Sequence, residues 1–227
     1  MLAHKAAAPA GSLVVVVGAG LIALLLSLIV WPVVRFAVTI AHEGGHAITA
    51  SMMGGTVESI HVYRNNDERG RGITFFRGVG PFGKFFTALA GYIGPSIFGL
   101  GGAVLLAGGH SVAVLWLSLV FLLLALIQMG NILGGLAAVG TGAVVILVLR
   151  YASTEGRTFF AYVWIWFLLF GGVGHVVASG WRSGDAGELK RLSLLPATIW
   201  SGFFGLATLA ALVYGAGILL NLVHVGA

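Results

Sequence analysis

Long apolar runs alternate with short polar connections along most of this chain. Because a hydrocarbon core about 30 Å thick needs roughly 20 residues of apolar helix, each such run predicts a membrane-spanning helix. The predicted spans are residues 13–31, 33–54, 83–107, 112–129, 132–150, 159–180 and 195–223. The runs are continuously apolar and do not alternate, which argues against a β-barrel. The predicted fold class is an all-α polytopic membrane protein with about seven transmembrane helices.

The longest polar connection, residues 54–82, interrupts this pattern between the second and third spans. Within it, TVESIHVY and GITFFR have a strand-like composition, and RNNDERGRG between them is typical of a turn. The connection therefore predicts a small β-hairpin between helices two and three, with an ordinary extramembrane loop as the alternative.

Composition supports a membrane protein and restricts its chemistry. Hydrophobic residues make up 59% of the 227 positions, which is more than a soluble domain of this length can bury. The chain has no cysteine, so any metal site must use His, Asp or Glu. The formal charge of +5 comes from Lys and Arg that lie mostly between apolar runs and indicate topology, so nucleic acid is not an expected partner.

The distribution of basic residues predicts an orientation in the membrane. The densest basic cluster follows the second span and contains Arg64, Arg69, Arg71, Arg77 and Lys84. By the positive-inside rule this connection is cytoplasmic. Counting spans then places Lys5 and Lys190 on the cytoplasmic side as well, and His110 outside.

One stretch of the second span concentrates titratable groups where lipid should be the neighbour. The sequence HEGGH carries His42, Glu43 and His46, and two histidines four residues apart leave the same face of a helix. This spacing lets both imidazoles bind one Zn²⁺, while Glu43 can take a proton from a metal-bound water, as in the H-E-x-x-H arrangement. A self-satisfied polar contact between helices is the alternative, although burying such groups in lipid is costly.

A catalytic zinc usually has three protein ligands, so a third is expected elsewhere in the chain. The candidates are Glu58, His61, Asp67, Glu68, Glu155, His175, Asp185 and Glu188. The second and sixth spans both run inward, which brings Asp185 to the depth of His46 in a glycine-bounded stretch. A carboxylate beside two neutral imidazoles also reduces the charge that the metal brings into a low-dielectric region, whereas His175 would not.

Two further residues are candidates for a supporting role. His175 lies near the end of the sixth span, where it could support a ligand, replace one, or bond a neighbouring helix. Asn131 follows the fourth span, where its amide could steady a tetrahedral oxyanion or cap a turn.

The order of motifs resembles the site-2 protease family over about residues 35–200. HEGGHAITASMMGGTVESI, AGYIGPSIFG, GNILGG and SGDAGELKRLSLLPATIW follow one another as in its compact bacterial branch without a PDZ domain. The resemblance implies a zinc protease with His42, His46 and Asp185 as ligands and Glu43 as the base. In one departure, SGDAG stands where the family has its N-x-x-P and L-D-G context.

The resemblance also implies partners and a location. The expected substrates are transmembrane proteins, cut in or next to their membrane segments, in the lipid bilayer of a bacterial plasma membrane and on its cytoplasmic side. Residues 1–227 are expected to form a single domain, with an N-terminal span in 1–31, a catalytic core in 33–191 and a C-terminal span in 195–227. The alternatives are a transporter or metal permease that uses the same cluster, and an inactive relative that binds membrane partners. Repeated halves of the transporter kind are not seen.

Overall fold

The computed structural model describes residues 11–67, 70–179 and 184–223. Its helices are α1 (Leu13–Ile29), α2 (Trp31–Met52), α3 (Pro81–Ala107), α4 (Ser111–Ile127), α5 (Ile132–Tyr151), α6 (Thr154–Ser179), α7 (Asp185–Leu192) and α8 (Ala197–Leu219). Each predicted span coincides with one long helix, and the short helix α7 was not predicted. The fold is mostly helical, as the hydropathy pattern predicts.

The described residues contain fewer candidate membrane spans than the predicted seven. Within the described residues, four helices are long and apolar enough to cross a membrane, namely α3, α5, α6 and α8. A fifth span results if α1 and α2 count as one, although they meet at 105°. At 1.5 Å per residue, the 17 residues of α1 and of α4 reach only about 25 Å. Seven spans are therefore not confirmed.

Local sequence signals explain where several helices begin and end. Pro32 and Pro81 lie in the first turns of α2 and α3, where the missing N–H has no helical partner to lose. Asn131 is the N-cap of α5, because its side-chain oxygen accepts a hydrogen bond from the backbone N–H of Gly134. Gly109, with a φ of 77°, follows the end of α3 and allows the chain to turn back into α4.

The predicted β-hairpin is present. Strand β1 (Thr56–Asp67) pairs with the antiparallel strand β2 (Gly70–Arg77), and the register places Ile60 opposite Thr74 and Val62 opposite Gly72. Arg69, predicted to be cytoplasmic, and Lys5 lie outside the described residues.

The hairpin runs back along α2 instead of lying beyond its end. At its base, the Gly55 N–H bonds to the carbonyl of Ala50. Further along α2, Thr74 bonds to Glu43, and near the start of α2 the Arg35 guanidinium bonds to the carbonyl of Arg64. The two strands therefore lie beside the same length of helix that carries HEGGH.

The other edge of β1 is closed by the turn between α4 and α5. The Ile60 N–H donates to the Gln128 carbonyl and the Gly130 N–H donates to the Ile60 carbonyl, both at 2.7 Å. The Asn131 side chain accepts from the Val62 N–H at 3.1 Å and donates to the Val62 carbonyl at 2.7 Å. As a result, β1 is fixed on both sides.

Helix α6 lies at the centre of the apolar core, where Ile165, Trp166 and Leu169 are buried. Beside it, α2 and α3 approach closely, because a Cβ on Gly45 would lie 2.6 Å from the carbonyl oxygen of Ala90. Small residues at such a contact let two helix backbones pack directly. This packing fixes the face of α2 that carries the histidines against α3.

Candidate metal centre

Helix α2 presents His42 and His46 on one buried face. Their side chains leave the helix one turn apart, as the four-residue spacing predicts, and their ring centroids are 4.8 Å apart. The two Nε2 atoms are separated by 3.2 Å. Both lone pairs can therefore point to the same position.

A backbone contact fixes the orientation of His46. Its Nδ1 lies 2.6 Å from the carbonyl oxygen of Thr87 on α3. Because a carbonyl only accepts, this nitrogen must carry a proton, and in the neutral imidazole Nε2 then keeps its lone pair. Metal-bound histidines usually donate their second ring nitrogen in this way, which fixes the tautomer.

Asp185 joins the two histidines from the first residue of α7. Its Oδ2 lies 3.2 Å from His42 Nε2, and its Oδ1 lies 3.2 Å from His46 Nε2. Gly184, with a φ of 62°, provides the backbone conformation that starts this helix. Burial raises the pKa of Asp185, but the interactions with His46 and His42 together lower it by more. The pKa of Asp185 therefore lies well below the usual range for aspartate. A carboxylate in this position can act as a metal ligand.

The geometry of these three side chains fits a metal ion. Bonds of 2.0–2.1 Å in a tetrahedral zinc site place the ligand atoms about 3.3 Å apart. The two Nε2 atoms lie 3.2 Å apart, and each lies 3.2 Å from a different carboxylate oxygen of Asp185. On α3, a Cβ at Gly91 would collide with the His46 imidazole and lie 2.6 Å from Asp185 Oδ2. Gly91 therefore leaves room beside the group of donors.

The carboxylate of Glu43 faces strand β2. Thr74 Oγ1 donates to Glu43 Oε2 at 2.8 Å and also lies 3.0 Å from the Glu43 backbone oxygen. The other carboxylate oxygen, Oε1, lies 3.9 Å from His42 Nε2. Glu43 thus borders the His–His–Asp group without belonging to it, as expected of a base.

Two aromatic side chains surround His42. The ring of His175 on α6 lies 4.6 Å from the ring of His42, and Tyr92 on α3 packs edge-on against His42 at 4.9 Å. Both residues are buried. They restrict the orientation of His42, which has no ring-nitrogen partner at Nδ1 among the described residues.

A family model described as Peptidase M50B-like matches residues 14–215. The chain belongs to this family. The match confirms the resemblance to site-2 proteases, so the candidate metal site lies in a chain of a peptidase family. No curated protein and no solved structure matched the chain.

Of the residues predicted in this M50B-like chain, the structure brings together His42, His46 and Asp185, with their ligand atoms within 4.8 Å of one another. His175 lies beside them. Asn131 does not join them through its described contacts, since its amide bonds to Val62 and Gly134. Its observed role is to cap α5 and hold β1.

The other candidate ligands are placed differently. Glu58 pairs with Arg77, and Glu188 pairs with Arg191. Glu155 is exposed in the first turn of α6, and His61 is 3.2 Å from Ser59 Oγ on the hairpin. The side chain of Asp67 and the whole of Glu68 lie outside the described part of the chain.

Sequence reasoning missed four residues of the M50B-like site: Thr74, Thr87, Gly91 and Tyr92. Thr87 and Gly91 lie one helical turn apart on the face of α3 turned to α2, and Tyr92 follows Gly91 directly. The pattern TALAGYIG opposite HEGGH could have identified these three residues. Thr74 had no such signal, because hydropathy does not reveal which helix a hairpin will contact.

Proposed function

We propose that the protein is an intramembrane zinc metalloendopeptidase that hydrolyses peptide bonds in or next to transmembrane segments of substrate proteins. The observation that carries this proposal is the convergence of His42, His46 and Asp185, with Glu43 beside them, in a peptidase-family chain. Several apolar helices surround the group, so the substrates that it would meet are membrane proteins.

Zinc is the metal that the donors favour. Two imidazoles and one carboxylate are a donor set found in catalytic zinc sites, which keep one position open for the reaction. Softer thiolate ligands are absent from the sequence, which contains no cysteine. When bound, the ion supplies Lewis acidity, which polarises a substrate carbonyl and acidifies water.

In this mechanism Glu43 moves the protons. Its Oε1 faces the histidines, so it can accept a proton from the attacking water and later deliver that proton to the leaving amine. His46 stays oriented through the Thr87 carbonyl during these steps. His175 and Tyr92 keep His42 in place by packing. Water attack breaks the peptide C–N bond and yields one carboxylate and one amine.

The edge of β2 that faces away from β1 has no backbone partner among the described residues, and this free edge is suited to hold an extended substrate. Ile60 and Val62 direct their backbone groups away from β2, to the α4–α5 turn. In an antiparallel pair, opposite residues share this direction, so Gly72 and Thr74 also direct their N–H and C=O groups outward. An unwound substrate segment that adds to this edge would lie next to Glu43.

The proposed location is a bacterial plasma membrane with the catalytic centre toward the cytoplasm. Arg77, Lys84, Lys190 and Arg191 lie in or next to the connections at the start of α3 and at α7, and the positive-inside rule favours the cytoplasm for this end. The whole chain, residues 1–227, would be one domain, with its catalytic core in 33–191.

Metal analysis and a Glu43→Gln variant test the proposal. Purified wild-type protein should hold about one zinc ion per chain, and His46→Ala should lose it. Glu43→Gln should keep the zinc and lose cleavage of a transmembrane peptide library that wild-type protein cuts. A metal permease would instead transport zinc into vesicles, and its Glu43→Gln variant would show no change in proteolysis. Full zinc retention in His46→Ala would contradict the site assignment.

A further inference from the structure

Helix α2 carries the proposed base, but strand β2 holds its carboxylate. Among the residues that the structure describes, the hydroxyl of Thr74 makes the one hydrogen bond to the Glu43 side chain, at 2.8 Å. Both residues are buried, with 9% of Thr74 and 2% of Glu43 exposed. A hydrogen bond to a charged group in such a place is stronger than one at a surface.

The two carboxylate oxygens have different neighbours. Oε2 accepts the hydrogen bond from Thr74, whereas Oε1 lies 3.9 Å from His42 Nε2. The terminal torsion of a glutamate is broad and roughly two-fold, so the side chain alone does not determine which way its oxygens point. The hydrogen bond from Thr74 to Oε2 sets the direction of the two oxygens.

Gly72 leaves room for this orientation on the side of the carboxylate that carries Oε1. It lies two residues before Thr74 on β2, so both residues face α2. A Cβ at position 72 would collide with Oε1 and with the Cγ and Cδ atoms of Glu43. Any side chain there would displace the oxygen that faces the histidines.

We infer that β2 orients the catalytic base: Thr74 anchors Oε2, and Gly72 keeps the space that lets Oε1 face the reacting water. Thr74 and Gly72 are thus positioning residues, and the inference rests on the proposed function. The same two residues direct their backbone groups to the free edge of β2. A substrate that adds to this edge would contact the strand that holds the base.

The binding of acetohydroxamate can test the orientation of Glu43 without a known substrate. Its two oxygens bind zinc, while its acidic proton can pass to a neighbouring carboxylate. Its affinity therefore depends on where Glu43 points. In the zinc-loaded protein, Thr74→Val should weaken binding about 10-fold, as expected for one lost hydrogen bond to a charged group. Thr74→Ser keeps the hydroxyl and should bind within about 2-fold of wild type.

Two glycine variants, one at the site and one as its control, provide the second part of the experiment. Gly72→Ala should also weaken acetohydroxamate binding, whereas Gly80→Ala should not, because a Cβ at Gly80 meets nothing within 4 Å. Zinc content should stay at about one ion per chain in all four variants, which also verifies that they fold.

The outcomes separate this inference from the proposed function. Equal acetohydroxamate affinity in zinc-loaded Thr74→Val and wild type would overturn the inference and leave the proposed function standing. Loss of zinc in Thr74→Val would also overturn it, since Thr74 would then hold the site together rather than orient the base. A wild-type protein without zinc would overturn the proposed function itself.

Discussion

Gly91 shows how little room surrounds the three candidate ligands. It lies on α3 against the His46 imidazole and Asp185 Oδ2, where even one methyl group would overlap both. The residue contributes no ligand atom, yet it leaves the space that the proposed metal ion would need.

Gly91→Ala should therefore lower zinc affinity by about 100-fold, although all three ligands remain. The matched control is Gly101→Ala on the same helix, because a Cβ there meets nothing within 4 Å. Competition with a zinc chelator measures both variants. Wild-type affinity in Gly91→Ala would mean that the ligands can shift to make room.

Single substitutions can also test which residue is the third ligand. Asp185→Ala should abolish tight zinc binding, whereas His175→Ala, which removes packing against His42, should weaken it by about 10–100-fold. Glu188→Ala is the control from the same helix as Asp185, since Glu188 pairs with Arg191. If His175→Ala loses zinc while Asp185→Ala keeps it, His175 is the ligand instead.

The candidate site was partly predictable from the sequence. The spacing of His42 and His46 defines one helix face, and the depth of Asp185 followed from the direction of two apolar runs. Thr74 and Gly91 were not predictable, because each meets the site through packing between elements at least 30 residues apart in the chain. Neither residue type carries metal chemistry of its own.

At the scale of elements, the β-hairpin is fastened to α2 and to the turn between α4 and α5. Arg35 on α2 holds the Arg64 carbonyl, the α4–α5 turn bonds to Ile60, and Asn131 bonds to both backbone groups of Val62. These contacts give β2 a fixed position beside α2. The strength of this attachment determines how well the hairpin can position Glu43.

Removing the Asn131 side chain should loosen the hairpin. Asn131→Ala leaves the Val62 N–H and C=O without their partners and should lower the free energy of unfolding by about 1–3 kcal/mol. Thermal unfolding and faster amide exchange at Val62 would report this. Thr141→Ala on the same helix is the control, because its hydroxyl bonds only to the Ala137 carbonyl. Unchanged exchange in Asn131→Ala would show that β2 and the backbone bonds of Ile60 are sufficient to hold β1.

The elements themselves were easier to predict than their arrangement. Apolar runs identified the seven long helices, and the alternation in TVESIHVY and GITFFR identified the hairpin. The position of the hairpin against α2 was missed, since a polar connection of this length usually lies in water. Helix α7 was missed because eight residues of mixed polarity show no apolar run.

At the scale of the whole molecule, the two ends of α3 should lie on opposite sides of the membrane. Near its start, Ala88 and Tyr92 pack with Leu189 of α7, while His110 follows its end. From Ala88 to Ala107, a helix rises about 28 Å, close to the thickness of the hydrocarbon core.

Single cysteines at Lys190 and His110 test this arrangement in a chain that has no cysteine of its own. Both positions are exposed, so an impermeant thiol reagent should reach position 110 in intact cells and position 190 only after permeabilisation. Labelling of both positions from one side would contradict the arrangement. Labelling of position 190 alone in intact cells would reverse the orientation.

The outer edge of β2 has a consequence for the surrounding bilayer if the protein is the proposed intramembrane protease. Within the described residues, no backbone partner is seen for the N–H and C=O groups that Gly72 and Thr74 direct outward, and such groups are not tolerated in hydrocarbon. In the proposed protease, water would therefore reach the level of Glu43, and lipid would not close over that side of the protein. The opening that would admit a substrate strand would thus also supply the water that hydrolysis consumes.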